Sequence, residues 1–462
     1  MRSVCPKHLV HPLVAAFCLL ALALVGAIAS AQVTSVTVDS SKPFEKVSGY
    51  TYVEATMHGA VERDDGSVGE YSVPMVLIYP DDGGNGVGVV DWPNTVLHRF
   101  FGHEDLDESQ TVDWTRRTTE GYLFENGYTY ASVQWSKEVT ELFADVPPGE
   151  DSNHLVRGTI ERGTDAFPIL RDTARFLKDP SAFEGADGPL PVDAVLSSGF
   201  SQTASLQNQY LLEAENLGDG VPAYDGHMLQ MTGLLCWVVD NEAPFYGEGM
   251  PCPDVPSGHQ DSPVILIPAQ TDVKISGAAL ARNEADRHWR QYELAGVSHL
   301  PAPIDPGLSD AQNPVDPRPV FRAAFHNLAL WATEGTPAPP STFLEGTIGE
   351  EGDFTPSLDD NGNALGGLRL PHLEQVIDGE VAGAPLGTYA GLHPVGPDEL
   401  LVWIAGTFAP FSDEELAQRY PDHETYVNRV TRAADYLLER GYILEEDRDA
   451  YVAEAEESSI GR

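Results

Sequence analysis

The chain has 462 residues, 71 of them acidic and 27 basic, for a formal net charge of −44 at neutral pH. A polyanion of this kind cannot neutralise phosphates and is repelled by anionic lipid, which excludes nucleic acid and the membrane surface as partners. With 42% hydrophobic residues, 43 Gly and 35 Pro, the composition is that of a folded, loop-rich globular protein, neither disordered nor fibrous.

Arg2 and Lys7 precede an apolar run at residues 13–28, and Ala29-Ser30-Ala31 stands before Gln32. This is the pattern of a secretory signal peptide with its A-x-A cleavage site. An uncleaved anchor helix is the alternative, disfavoured because the run is near the short limit for a span. Cleavage leaves 431 residues and, since Arg2 and Lys7 depart and no acid does, a charge of −46. The expected location is secreted or periplasmic. Cys5 and Cys18 leave with the leader, so Cys236 and Cys252 remain, 16 residues apart. In an exported chain they are expected to form one disulfide, stabilising by about 3 kcal/mol in the chain-entropy account. Two free thiols are the alternative. No C-x-x-C pair supports a zinc site.

Residues 73–79 and 87–92 read as strands on either side of Asp81-Asp82-Gly83-Gly84-Asn85-Gly86. No helix follows that turn, so it reads as a hairpin and not as a phosphate cradle. Residues 128–135 are a third strand. Phe167, Leu170, Ala174 and Leu177 recur at helical spacing, and Pro180 closes that helix. A short buried strand at 192–197 runs into Gly-Phe-Ser and a helix from 202 to about 217. Residues 264–267 and 292–295 are two further strands, and Phe321, Phe325, Leu328 and Trp331 line a helix stopped by Gly335. Strands alternating with helices imply a mostly parallel sheet covered on both faces. Residues 340–410 are turn-rich; 413–457 read as two or three helices with Tyr426, Val430, Ala433 and Leu437 on one face. The expected organisation is a leader at 1–31, an α/β core at 32–340 with a cap insertion around 205–262, and a C-terminal extension at 341–462 packed on the core.

Ser201 lies in Gly199-Phe200-Ser201-Gln202-Thr203, where a buried strand turns into a helix. That is the setting of a nucleophile elbow, in which a sharp turn lifts the serine Oγ out of the sheet. The residues two before and two after the serine must be small. Gly199 complies; Thr203 is tolerable if its side chain points away from the strand. A serine nucleophile needs a base, and the base needs an anion to fix its tautomer. Asp272 follows the strand at 264–267 on an expected loop, and His299 follows the strand at 292–295. Ser…Asp…His is the chain order of α/β-hydrolases. Asp286, in an expected helix, and Glu293, within a strand, compete with Asp272 for the acid; Asp272 is preferred. The backbone N–H of Gln202 is one expected oxyanion donor; the other is expected from the loop after residues 87–92, where Pro93 has no N–H and Asn94 or Thr95 supplies it, Asn94 being preferred. Trp92, Trp237, Phe245 and Tyr246 are the expected walls of a substrate pocket, because loops at the carboxyl ends of parallel strands shape the site.

These segments resemble bacterial exported proteins of the alpha/beta hydrolase domain family. Asn85-Gly86 leading into Val89-Val90-Asp91-Trp92-Pro93-Asn94 is similar to the family's N-G-x-V-V-V-E-W-x-N segment, and the elbow to its G-F-S-Q-S. Thr271-Asp272-Val273 resembles its acid loop. Tyr292-Glu293-Leu294-Ala295-Gly296-Val297-Ser298-His299 resembles W-E-x-A-G-x-x-H, and residues 363–371 resemble a signature without an assigned role. The resemblance implies an α/β-hydrolase fold and a serine esterase using Ser201, His299 and Asp272.

No cofactor and no metal are expected. Asp359-Asp360-Asn361-Gly362-Asn363 lacks the glycine and the closing acid of a calcium loop and reads as a polar turn. His98, His103, Glu104 and Asp105 read as solvated loop residues. The expected activity is hydrolysis of a small neutral ester through an acyl-enzyme. A lactonase, amidase or peptidase with the same triad, or a non-catalytic exported binding protein, is the alternative.

Overall fold

Five strands in which every residue is buried form the centre of the protein: β4 (Val87–Asp91), β5 (Thr129–Val133), β7 (Ala194–Phe200), β8 (Gly226–Gln230) and β11 (Val264–Ile267). Continuous burial means that both faces of the sheet are covered, the condition under which parallel strands are stable. The computed structural model describes residues 32–63, 65–93, 119, 121–135, 160, 162–213, 215–217, 220–237, 250–256, 261–350 and 352–462. The expected leader at 1–31 lies outside them.

Among the described residues ten strands make one sheet in the order β12-β11-β8-β7-β4-β5-β3-β2-β1-β6, with β1 (Gln32–Pro43), β2 (Tyr50–Glu62), β3 (Val68–Pro80), β6 (Phe183–Glu184) and β12 (Trp289–Gln291) completing it. The short β9 (Leu235–Cys236) and β10 (Met250–Pro251) pair with each other in a separate sheet. From β5 to β12 all neighbours are parallel; β1, β2 and β3 form an antiparallel block that joins at β5.

Alternation along the strands divides the core. Val89, Leu196, Met228 and Ile265 belong to one cluster with Phe321, Phe325 and Leu328. Val90, Val195, Leu229 and Leu266 belong to another with Leu170, Ala174, Leu177, Leu206 and Tyr210. The helices that supply these residues are α1 (Ala166–Lys178), α2 (Gln202–Leu212) and, on the opposite face, α4 (Arg318–Glu334); the short α3 (Gln270–Ile275) follows β11.

Three expectations change. The turn at 81–86 is not a hairpin, because β5 lies between β3 and β4. Gly84 and Asn85 instead pack on the turn that enters β5, where Asn85 N–H donates to the Gly127 carbonyl (2.9 Å). The region 205–262 is not one insertion, because β8 within it is a central strand of the sheet. The regular ladder of the last strand is Trp289–Gln291, and residues 292–295 continue it through single bridges.

Three helices follow residue 410: α5 (Asp413–Arg419), α6 (His423–Glu439) and α7 (Glu445–Glu457). Tyr426, Val430 and Leu437 join the cluster of Phe321 and Phe325, so the extension shares the hydrophobic core of the sheet. It also reaches the sheet edge, where Thr342 bridges Tyr292 and Leu368 bridges Leu294.

Beside those bridges Glu293 is wholly buried. Its carboxylate accepts from Arg282 Nε and Nη2 (both 2.7 Å), Gln291 Nε2 (2.8 Å) and the Leu344 backbone (2.7 Å). Removing the cation would strand a charge in the core, which destabilises by about 3–5 kcal/mol. Arg282→Ala is therefore expected to lower the unfolding free energy by about that amount in urea titration; a loss under about 1 kcal/mol would show the pair to be incidental.

Candidate active site

The elbow begins with a steric demand. A Cβ on Gly199 would sit 2.8 Å from the Ala204 nitrogen and the Thr203 carbonyl oxygen, so only glycine lets β7 approach the start of α2 this closely. Ser201, between them, has φ 55° and ψ −109°. A non-glycine residue held there stores strain of about 1–3 kcal/mol, and such strain collects at functional sites. Thr203 does not turn away from the strand as expected. Its hydroxyl folds back, accepting the Phe200 N–H (3.1 Å) and donating to the Phe200 carbonyl (3.2 Å). The side chain clips the turn.

Three chain segments meet at the carboxyl edge of the sheet. Ser201 leaves β7, and its N–H donates to the Gln230 carbonyl at the end of β8 (2.9 Å). Asp272 lies in the first turn of α3, not on a loop. One of its oxygens accepts the Ala269 N–H (2.9 Å); the other lies 2.7 Å from His299 Nδ1. His299 Nε2 is 2.8 Å from Ser201 Oγ. A carboxylate only accepts, so Nδ1 carries the proton and Nε2 offers its lone pair to the serine hydroxyl. Asp272 is 1% exposed and His299 13%. The Phe200 ring and the imidazole meet edge-to-face at a centroid distance of 5.9 Å.

The competing acids sit elsewhere. Glu293 is committed to Arg282. Asp286 lies in the turn before β12, at the opposite end of that strand from His299, and accepts the His288 N–H (2.8 Å).

The backbone N–H of Gln202 stands at the start of α2, where helix geometry concentrates positive charge. Asn94, Phe245, Tyr246 and the group His98, His103, Glu104 and Asp105 lie outside the described residues. Among the described residues no cluster of His, Cys, Asp or Glu is arranged to hold a metal ion. Asp359 Oδ1 accepts the backbone N–H groups of Asn361 and Asn363 (both 2.9 Å), and its Oδ2 pairs with Arg369 (2.7 Å), as in a polar turn.

Trp92 belongs to the core rather than to a pocket wall. It is 1% exposed, its indole N–H donates to Tyr224 Oη (3.3 Å), and Tyr210 packs edge-on at 5.2 Å. Trp237 is half-buried beside the Cys236–Cys252 disulfide, and its backbone N–H donates to the Ser205 carbonyl on α2 (3.2 Å). Asn208 of α2 donates to the carbonyls of Gly233 and Leu235 (2.9 and 2.8 Å), which ties this segment to the helix behind the serine. Titration of denatured, non-reduced protein that begins at Gln32 is expected to find no free thiol; two reactive thiols would refute the bridge.

A family model described as an alpha/beta hydrolase domain matches residues 48–453. That span includes most of the C-terminal segment 341–462. No curated protein matches the chain. Among solved structures, the chain is similar to a candidate acetyl xylan esterase from Bacteroides fragilis, at 11% identity and a TM-score of 0.30 over 57% of this chain and 70% of that one. It is also similar to a CE15 glucuronoyl esterase from Teredinibacter turnerae, at 11% identity and 0.28 over 52% and 64%. A third is Candida antarctica lipase A in its closed state, at 12% and 0.26 over 44% and 43%. The matches span less than two thirds of the length of the last two.

Proposed function

The chain belongs to the alpha/beta hydrolase domain family, and we propose that it is an exported serine hydrolase that cleaves carboxylic esters through an acyl-enzyme. The observation that carries this reading is the line of hydrogen bonds from Ser201 through His299 to Asp272 at a strained strand-to-helix turn. Ser201 Oγ attacks the ester carbonyl while His299 Nε2 takes its proton. Asp272 keeps the other ring nitrogen protonated and stabilises the imidazolium. The oxyanion of the tetrahedral intermediate lies toward the Gln202 N–H, with Asn94 as the proposed second donor. Collapse expels the alcohol, which receives the proton from Nε2. Water then repeats the sequence on the acyl-serine, giving its proton to Nε2 and releasing the acid and the free serine. These groups, the ester and water balance every proton, so the cycle needs no cofactor.

The A-x-A site after the apolar run and the disulfide support an exported destination. The strong negative charge favours a neutral small-molecule ester over a polyanion.

On p-nitrophenyl esters of increasing chain length, Ser201→Ala is expected to lower kcat by about a million-fold, and Asp272→Asn by about 10,000-fold because the tautomer is lost. A Ser201→Ala variant that retains a tenth of the activity would sink the assignment of the nucleophile, whereas a parent protein inactive on the whole panel would leave a binding protein of the same fold.

Trp237, Phe245 and Tyr246 are proposed to wall the acyl or alcohol pocket. Trp237→Ala is then expected to shift the chain-length profile and raise KM. If it lowers the melting temperature and leaves the relative rates across the panel unchanged, the residue is plain core.

A further inference from the structure

The loop that carries His299 is held from two sides. On one side is the first turn of α3. Gly296 N–H donates to Gln270 Oε1 (2.8 Å), Gln270 N–H donates to the Val297 carbonyl (3.1 Å), and His299 N–H donates to Thr271 Oγ1 (3.1 Å). On the other side is the C-terminal extension. Leu300 N–H donates to the Ile404 carbonyl (3.2 Å), and Asn313 Nδ2 joins the carbonyls of Gly296 (2.8 Å) and Ala390 (3.2 Å).

One buried hydroxyl links the two sides. Thr271 is wholly buried, and its Oγ1 donates to the Gly391 carbonyl while accepting the His299 N–H. The directions are fixed by chemistry, since a carbonyl only accepts and an amide N–H only donates. The approach leaves no room for a side chain on Gly391: a Cβ there would lie 2.9 Å from the Thr271 nitrogen and 3.2 Å from its Oγ1.

We propose that Thr271 is a positioning residue: its hydroxyl ties the His299 backbone to Gly391, so that residues 387–406 of the extension set where the imidazole stands relative to Ser201. This rests on the reading of Ser201, His299 and Asp272 as the catalytic set. The ring holds one partner on each nitrogen, at 2.7 and 2.8 Å, so its aim depends on the backbone from which it grows. Losing the hydroxyl leaves a buried N–H and a buried carbonyl without that partner, and both gain by shifting to find another. A displacement of about an ångström at a reacting group lowers the rate up to about 100-fold. No atom of Thr271 bonds the imidazole, and its side chain is wholly buried, so the loss is expected to fall on kcat rather than on ester binding.

The test uses the mature, full-length protein with a p-nitrophenyl ester, measuring kcat, KM, the acylation burst and the melting temperature. Thr271→Val keeps the volume and removes the hydroxyl; it is expected to lower kcat and the burst rate about 10- to 100-fold with KM changed less than about threefold. Thr271→Ser, which restores the hydroxyl, is expected to stay within about threefold of the parent. Gly391→Ala pushes on Thr271 without touching its chemistry and is expected to lower kcat alone, so it decides the matter with Thr271→Ser should the valine variant not fold. A folded Thr271→Val or Gly391→Ala with parental kcat overturns the proposal, as does a serine variant as impaired as the valine one. The Ser201→Ala control separates the two readings. If it remains active, the catalytic set itself is wrong; if it is inactive while Thr271→Val is unimpaired, only the positioning role falls.

Discussion

The segment from β12 to His299 runs along the end of the parallel sheet, buried on both faces but with only one edge against a core strand. Buried N–H and carbonyl groups must find partners, because leaving one unpaired costs about as much as a lost hydrogen bond. On the inner edge the partners come from β11 and its continuation: Tyr292 N–H donates to the Leu266 carbonyl and Leu294 N–H to that of Pro268 (both 2.9 Å). On the outer edge they come from the extension. Glu293 N–H donates to the Thr342 carbonyl (3.0 Å), Leu368 N–H to that of Glu293 (2.7 Å) and Ala295 N–H to that of Leu368 (3.0 Å). The residue whose placement matters most to the site thus hangs from a strand that is complete only when the C-terminal quarter of the chain has docked.

That requirement gives the signature at 363–371 a physical role. Gly367 has φ 66°, and a Cβ on it would lie 2.5 Å from the Glu293 carbonyl oxygen and 2.7 Å from Leu344. Glycine is the only residue that allows Leu368 to reach its partner on the His299 strand. Asn363, at the start of the signature, is wholly buried and accepts the Tyr389 N–H (2.7 Å), which fixes the short strand leading to Gly391. The buried Glu293–Arg282 pair completes the same joint, with Arg282 also donating to the Leu344 carbonyl (3.0 Å).

What was legible in the sequence follows from locality. β7, β11 and α4 declare themselves through runs or spacings of apolar residues, and Ser201, Asp272 and His299 through their place just after such runs. β8 does not: Gly-His-Met-Leu-Gln has no β-branched residue and carries two polar side chains, and its burial comes from neighbours far along the chain. His227 is acceptable there because Ser197 Oγ on β7 lies 2.8 Å from its Nδ1. The turn at 81–86 has the glycines and asparagine of a hairpin, but which strand pairs with β3 is decided by β5, about fifty residues on. The edge contacts of Leu368 and Gly391 were illegible for the same reason.

The elbow separates two demands that a sequence pattern merges. Both positions flanking the serine at a distance of two are expected to be small, as if one crowding applied to each. At Gly199 the crowding is real, since the space a Cβ would take is already filled by the backbone of Thr203 and Ala204. At Thr203 the side chain instead leaves the first turn of α2 toward Phe200, whose N–H and carbonyl it engages. A hydroxyl there helps hold the strained φ of Ser201 by bonding the residue on its near side, which a glycine cannot do. The tolerance is chemical as well as steric: a residue of similar size without a hydroxyl, such as valine, would fit the same space and leave the Phe200 N–H without this acceptor.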